Sequence, residues 1–363
     1  MTVLNASGPR IGSLWQQRMD GICEYEVVRD GNVFATGFSN RFVCTSEHDT
    51  ARQYLADLLG RYAGRSIEEV FPEGREYSND GGACFLLENS SPLCHPDVDP
   101  DTFLSALFDD LTLVRGIGKA TETKLRVRGY RNLWDLMEHP KFRIEAERIA
   151  GSISGAGSAE IMEIIGKRHS RSHLKVLGTA CLHEPEELVF LDIETMGLFS
   201  RPIILFGIGF LKHHQLVIRQ YLVRDVAEEP AALLATMEHF SMENPALVTF
   251  NGKAFDAPYI SDRLAYYGME SIRGIPHYDV LHFSRRRWKD RFPSLRLSAL
   301  ENEILDVHRG EDVPGQMVPE FYETYLRSGN SGPLVPIIEH NRQDVESLAR
   351  LFFSLMGDVV GNC

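Results

Sequence analysis

The sequence predicts an α/β protein, on three observations. Apolar runs of strand length recur at 188–193, 203–211, 216–223, 246–250 and 278–281. Stretches with helical spacing of apolar residues alternate with or follow them, at 229–243, at 255–267 and beyond residue 337. The composition is that of a globular chain, with 43% hydrophobic and 25% charged residues. Its 363 residues are enough for two or three domains and a sizeable core.

Residues 1–100 read as a small α+β module of unknown role. Glu24 to Val28 and Arg41 to Cys44 alternate like strands, and Thr50 to Tyr62 has helical spacing. Gly81 to Glu88 reads as a strand entered by a glycine turn. Cys84, His48 and His95 lack the spacing of a metal site.

Residues 101–172 read as helical throughout. Within them, Gly116-Ile117-Gly118-Lys119 is followed by Leu125, Leu133 and Leu136 at core spacing. A Gly-hydrophobic-Gly turn between two helices, similar to a helix-hairpin-helix, exposes backbone N–H groups at a helix N-terminus. Those donors, with the helix dipole behind them, can hold a phosphate. Lys119, Lys124, Arg126, Arg128 and Arg131 add positive charge, so contact with a DNA backbone is the favoured reading. An ordinary αα-hairpin whose glycines merely permit the turn is the competing one. A linker is expected from Lys167 to Glu187, basic at first and broken by Pro185.

The segment 185–363 carries the chemistry. Leu188-Val189-Phe190-Leu191 runs straight into Asp192-Ile193-Glu194. Strand side chains alternate, so Asp192 and Glu194 share one face while Ile193 points into the core. Two anions at the end of a buried strand repel each other unless a cation neutralises them. A hard divalent metal is the natural partner, which points to phosphoryl transfer. The runs at 203–211 and 216–223, joined by Lys212 to Gln215, suggest an antiparallel meander.

Asn251-Gly252 stops the run at 246–250. In the helix that follows, Phe255, Tyr259, Ile260 and Leu264 lie on roughly one face, and Asp256 falls early. Asp279 lies in the run at 278–281, where it either occupies a motif position or, as a lone Asp near a strand end, only caps the next helix. Asp312-Val313-Pro314-Gly315 reads as a tight turn before a helix at 317–327. In the last helix His340 and Asp344, four apart, share a face, whereas Asn341 and Arg342 should point elsewhere. The resulting order is β-β-β-α-β-α-β-α.

These residues resemble the DEDD exonucleases of the RNase H-like superfamily. Asp192 and Glu194 match the first motif, Asn251 to Ile260 the second, and His340 to Asp344 the third. The second motif is similar to that of B-family DNA polymerase proofreading exonucleases. Residues 180–358 as a whole resemble the bacterial YprB-type predicted exonucleases, through His277 to Leu281, Ser284 to Lys289 and Asp312 to Gly315. His340 stands four residues before the Asp, the spacing of the tyrosine subclass; the histidine subclass uses five.

The resemblance implies an RNase H-like mixed sheet with helices on both faces and a 3′-to-5′ exonuclease. Asp192, Glu194, Asp256 and Asp344 would hold two Mg²⁺ or Mn²⁺ ions, with Asp192 bridging them. His340 would take a proton from the attacking water. Asn251 is either a strand-contacting residue or only the turn residue before Gly252.

The net charge of −13 argues against a general nucleic-acid coat protein, so any contact must use local basic patches. Residues 285–296 form one, in which Arg286, Arg287 and Trp288 suit phosphate contact and base stacking. A solvated helix face with a tryptophan anchored in the core is the alternative. No apolar run approaches the ~18–20 residues of a membrane span. Met1 to Gln16 lacks a signal-peptide layout, and the six cysteines are scattered without a Cys-x-x-Cys pair. A cytoplasmic location is expected, with DNA bearing an accessible 3′ end as partner, no membrane, and nothing that indicates a protein partner. Two other readings compete. One is a nucleic-acid-binding adaptor with an inactive RNase H-like domain. The other is an RNA or structure-specific nuclease, because nothing in the sequence reads a 2′-OH.

Overall fold

The computed structural model describes residues 46–197, 201–271, 274–310 and 312–360. The strands expected at Glu24 to Val28 and Arg41 to Cys44 lie outside them. The described residues begin with helix α1 (Ser46–Arg61) and continue to strands β1 (Arg75–Asn79) and β2 (Gly82–Pro92). Helices α2 (Pro100–Phe108), α3 (Lys119–Val127), α4 (Arg143–Ile153) and α5 (Ser158–Gly166) follow, with shorter ones at Leu133–Leu136 and Leu174–Gly178. Asp99 starts α2 by accepting the N–H groups of Asp101 and Thr102, with Pro100 in the first turn where its missing donor costs nothing. Then come β3 (Leu188–Thr195), β4 (Ile203–Lys212), β5 (Gln215–Leu222), α6 (Glu229–Glu238), β6 (Ala246–Thr249) and α7 (Asp256–Tyr266). The described chain closes with β7 (His277–Asp279), α8 (Val280–Trp288), α9 (Val318–Ser328) and the 27-residue α10 (Leu334–Val360).

The strands form one seven-stranded sheet in the order β1-β2-β5-β4-β3-β6-β7. The pairs from β1 through β3 are antiparallel, whereas β6 and β7 run parallel to β3. This is the mixed sheet expected of an RNase H-like fold. The β4–β5 hairpin turns through His213 and His214, both at positive φ, the backbone that a two-residue hairpin loop requires. The run expected as a strand at 278–281 stops at Asp279, because that side chain caps α8 by accepting the Leu281 N–H at 3.2 Å.

β2 pairs with β5 from Phe85↔Leu222 to Pro92↔Gln215. Residues expected in a separate N-terminal module thus extend the same sheet and cover what would otherwise be an exposed edge. α1 joins the arrangement: Leu55 and Leu58 pack with Phe321, Tyr322, Leu334 and Ile337. The segment expected as a linker is also built in. Its short helix Leu174–Gly178 buries Val176 and Leu177 in the core that the helical region shares with α10.

Helices cover both faces. Val189, Leu191 and Ile193 pack with residues of α6 and α7. Leu188 and Phe190 point the other way, into the cluster containing Val345, Leu348 and Phe352 of α10. The long helix lies close because β4 presents glycines to it. A Cβ at Gly207 would stand 2.3 Å from Asn341 Oδ1, and one at Gly209 would stand 2.7 Å from Val345 Cγ1. Among the described residues no helix is long and apolar enough to cross a membrane.

α7, which carries Asp256, is fixed by a buried ion pair. Glu229 accepts the Ile203 N–H at 2.9 Å, Arg263 Nε at 2.7 Å and the Tyr267 hydroxyl at 2.8 Å. Glu229 is 0% and Arg263 5% exposed. Removing one partner leaves a buried charge without its counter-ion. Arg263→Ala should therefore cost about 3–5 kcal/mol in urea denaturation, far more than an exposed pair would. A midpoint within error of the wild type would show that the pair does not hold α7.

Candidate active site

Strand alternation does at Asp192 and Glu194 what their spacing demands. They continue the row of Leu188 and Phe190 toward α10, while Ile193 enters the opposite core. Asp256 is the first residue of α7, and its Oδ1 accepts the Ile193 N–H at 3.2 Å. α10 brings His340 and Asp344 to the same place. His340 Nε2 lies 3.7 Å from Asp344 Oδ2 and 3.9 Å from Glu194 Oε1.

The carboxylates act on one another. Burial raises the Asp192 carboxyl well above its ordinary range, and the charges of Asp344, Asp256 and Glu194 push it further. Burial likewise lifts Glu194 and Asp256 to about 7 each. For Glu194 the His340 charge opposes the rise; for Asp256 backbone N–H donors do. Burial alone would lower the His340 imidazole, but Asp344, the hydrogen bond to Asp312 and Glu194 reverse this and raise it to about 10.

Three residues of this network were not expected there. Asn341, which helical geometry seemed to turn away, is fully buried against the site. Its Nδ2 donates to Asp192 O at 3.1 Å and to Asp192 Oδ2 at 2.8 Å, and its Oδ1 accepts from Gln220 Nε2 at 2.8 Å. A signal was present: Asn341 falls in the apolar stripe of Ile337, Ile338, Val345 and Leu348, where a polar residue needs a buried partner.

Asp312, expected only to form a turn, accepts from His340 Nδ1 at 2.7 Å. Arg309 pairs with Asp344, with Asp312 at 3.1 Å and with both oxygens of Glu301 at 2.6 and 2.8 Å. Neither residue lies in a periodic element, so spacing could not find them. Arg342 does point away, to Glu339.

The loop after β6 is held from β7. Asp279 accepts the backbone N–H groups of Asn251 at 2.8 Å and Lys253 at 3.1 Å, besides capping α8. Asn251 has φ 64°, the left-handed backbone of a sharp turn, and it sets where α7 begins.

A divalent cation suits this donor set, because hard oxygen ligands that repel each other in a buried position are relieved by positive charge. Among the described residues no three Asp, Glu, His or Cys side chains stand in a ready coordination array, and Asp344 is turned to Arg309 instead.

The other residues expected to touch nucleic acid lie at the start of α3 and on α8. Gly116 has φ 89°, Ile117 anchors the turn in the core, and Gly118 caps α3 without a side-chain bond. Lys119 is exposed at that helix start. The element immediately before the glycines is a three-residue 3₁₀ turn, Leu111–Leu113. On α8, Arg286 and Arg287 are exposed, the first bonded to Ser170 Oγ at 3.0 Å and the second paired with Asp358 at 2.7 Å. Trp288 is 4% exposed and packed in the core. Base stacking by Trp288 is therefore ruled out; the indole anchors α8.

Residues 189–356 match the family model RNase_H_2 of the RNase_H superfamily. That segment is an RNase H-like domain. The chain is also 30% identical over 178 residues to a protein named "Uncharacterized protein YprB" from Bacillus subtilis (strain 168). The match covers 48% of this chain and 43% of that relative, so the chain spans less than half of the relative's length.

The raised carboxyls predict a pH dependence. Folded Glu194 and Asp256 hold protons to about pH 7, against ordinary values of 4.5 and 3.8. Between these limits the folded state binds more protons than the unfolded one, so their contribution to stability falls as pH rises. In protein freed of metal, Glu194→Gln should gain in urea midpoint over wild type as pH climbs from about 4.5 to about 7.5. A difference that stays constant across that range would contradict the burial of this charge.

Proposed function

We propose that the protein is a metal-dependent 3′-to-5′ exonuclease that hydrolyses phosphodiester bonds of DNA. The observation that carries this reading is the convergence on Asp192 of Glu194, Asp256 and Asp344, each of which disfavours its ionised form, in a domain of RNase H type. A pure binder of nucleic acid gains nothing from anions clustered where phosphates must approach. Divalent cations, Mg²⁺ or Mn²⁺, held by these four carboxylates would supply charge stabilisation for an in-line displacement at phosphorus.

The chain's own groups would do the rest. Asn341 holds Asp192 in one orientation through two hydrogen bonds. Asp279 and Asn251 set the start of α7 and with it the Asp256 carboxylate. His340, with Nε2 turned to Glu194 and Asp344, would accept the proton of an attacking water once the carboxylate charges that raise its imidazole are offset and Nε2 has given up its own proton. Phosphate contact away from the site would come from Gly116, Gly118 and Lys119, with Arg286 and Arg287 as a second patch. The choice of DNA and of 3′-to-5′ direction follows the resemblance of the three motifs.

One observation favours a second reading, an adaptor with an inactive domain: Arg309 already satisfies Asp344. The two readings part on metal. Binding to the folded state alone raises the melting temperature with ligand concentration. Millimolar Mn²⁺ should raise that of the wild type and raise that of Asp192→Asn less. The same variant should lose all metal-dependent release of nucleotides from end-labelled single-stranded DNA while its fold is kept. Equal activity in variant and wild type would reject the nuclease. An unmoved melting temperature together with an inactive wild type would establish the adaptor.

A further inference from the structure

We propose that Asp312 is a positioning residue for His340, holding the imidazole so that Nε2 faces the carboxylate cluster. The inference rests on the nuclease reading and adds a residue to its machinery. An imidazole on a helix can turn over about its Cβ–Cγ bond, exchanging each nitrogen with a ring carbon, unless a partner fixes one of them. His340 Nδ1 lies 2.7 Å from Asp312 Oδ1, whereas Nε2 is 3.7 Å from Asp344 Oδ2 and 3.9 Å from Glu194 Oε1.

A carboxylate only accepts, so Nδ1 must carry a proton and donate it to Asp312. Arg309 Nη1 also stands 3.2 Å from Nδ1, but a guanidinium only donates. The two donors therefore share Asp312, with the imidazole on Oδ1 and Arg309 on Oδ2 at 3.1 Å. Asp312 is itself restrained. Its Oδ1 accepts the Val313 N–H at 2.8 Å, and Val313 is buried with no exposure beside Met317, Phe321 and Ile338. A carboxylate behind a histidine fixes which nitrogen is free, as it does behind metal-bound histidines, and losing such a partner costs about 10–100-fold.

The test combines kinetics with a proton resonance. On end-labelled single-stranded DNA with Mn²⁺, Asp312→Ala should lower kcat about 10–100-fold with KM nearly unchanged. Asp312→Asn, whose amide oxygen still accepts the Nδ1 proton, should recover part of the loss. In a His340→Ala background, Asp312→Ala should cost nothing further, since the residue acts through the imidazole. In metal-free protein, the slowly exchanging downfield imidazole proton that vanishes in His340→Gln should vanish in Asp312→Ala as well. Full activity of Asp312→Ala, a further loss on top of His340→Ala, or persistence of that resonance would each overturn the assignment alone. A wild type without metal-dependent activity would overturn the nuclease reading, and this inference with it.

Discussion

Buried carboxylates that share a face cannot all be ionised without counter-charge, and the rest of this site is arranged around that constraint. Asp192 and Glu194 are two residues apart on β3, so alternation leaves them no way to separate. Asp256 and Asp344 then arrive from α7 and α10. The repulsion is met in three ways: protons retained on carboxyls whose affinity burial has raised, the imidazolium of His340, and the guanidinium of Arg309. Each of these is mobile or exchangeable in a way that a hydrophobic contact is not. A site built so holds stored electrostatic cost, which bound cations would relieve.

Keeping the carboxylates in place falls to neutral groups. A second charged partner for Asp192 would add to the desolvation cost, whereas the Asn341 amide donates two hydrogen bonds without bringing charge. The amide fits only because β4 has Gly207 beneath it, and Gln220 from β5 holds its other end. Asp256 is placed differently, by the Asp279 carboxylate, which gathers backbone N–H groups of the loop that delivers it. The sheet thus fixes backbone positions first and the charged side chains follow from them.

Much of this was legible in the sequence, and the reason is local periodicity. Apolar runs located β3 to β6, and alternation alone placed Asp192 and Glu194 on one face with Ile193 opposite. The four-residue spacing of His340 and Asp344 put them side by side on a helix. What escaped depended on distance in sequence. Nothing local says that β2 pairs with β5, more than a hundred residues away, so the first strands read as a separate module. Arg309 and Asp312 sit between elements, where no period marks which side chains turn inward. Asn341 is turned inward by the apolar stripe of Ile337, Ile338, Val345 and Leu348 that it interrupts, which its immediate neighbours in sequence do not reveal. Trp288 shows the opposite error: an aromatic among arginines looks like a stacking platform, yet its own helix needed it as an anchor.

Charge also governs how a polyanion could reach the cluster. Six carboxylates (Asp192, Glu194, Asp256, Glu301, Asp312 and Asp344) face one arginine and one imidazole, in a chain whose net charge is −13. Approach of a phosphate backbone to such a surface is unfavourable at long range. Any favourable steering must come from elsewhere on the molecule. The exposed turn at Gly116 to Lys119 and the arginines of α8 offer it, but Arg287 is partly spent on Asp358. Attraction would then decay steeply with salt, because exposed basic residues are screened while the buried acidic cluster is not. The basic surfaces would gather the strand, and the acidic cluster would admit it only once its own charge had been offset.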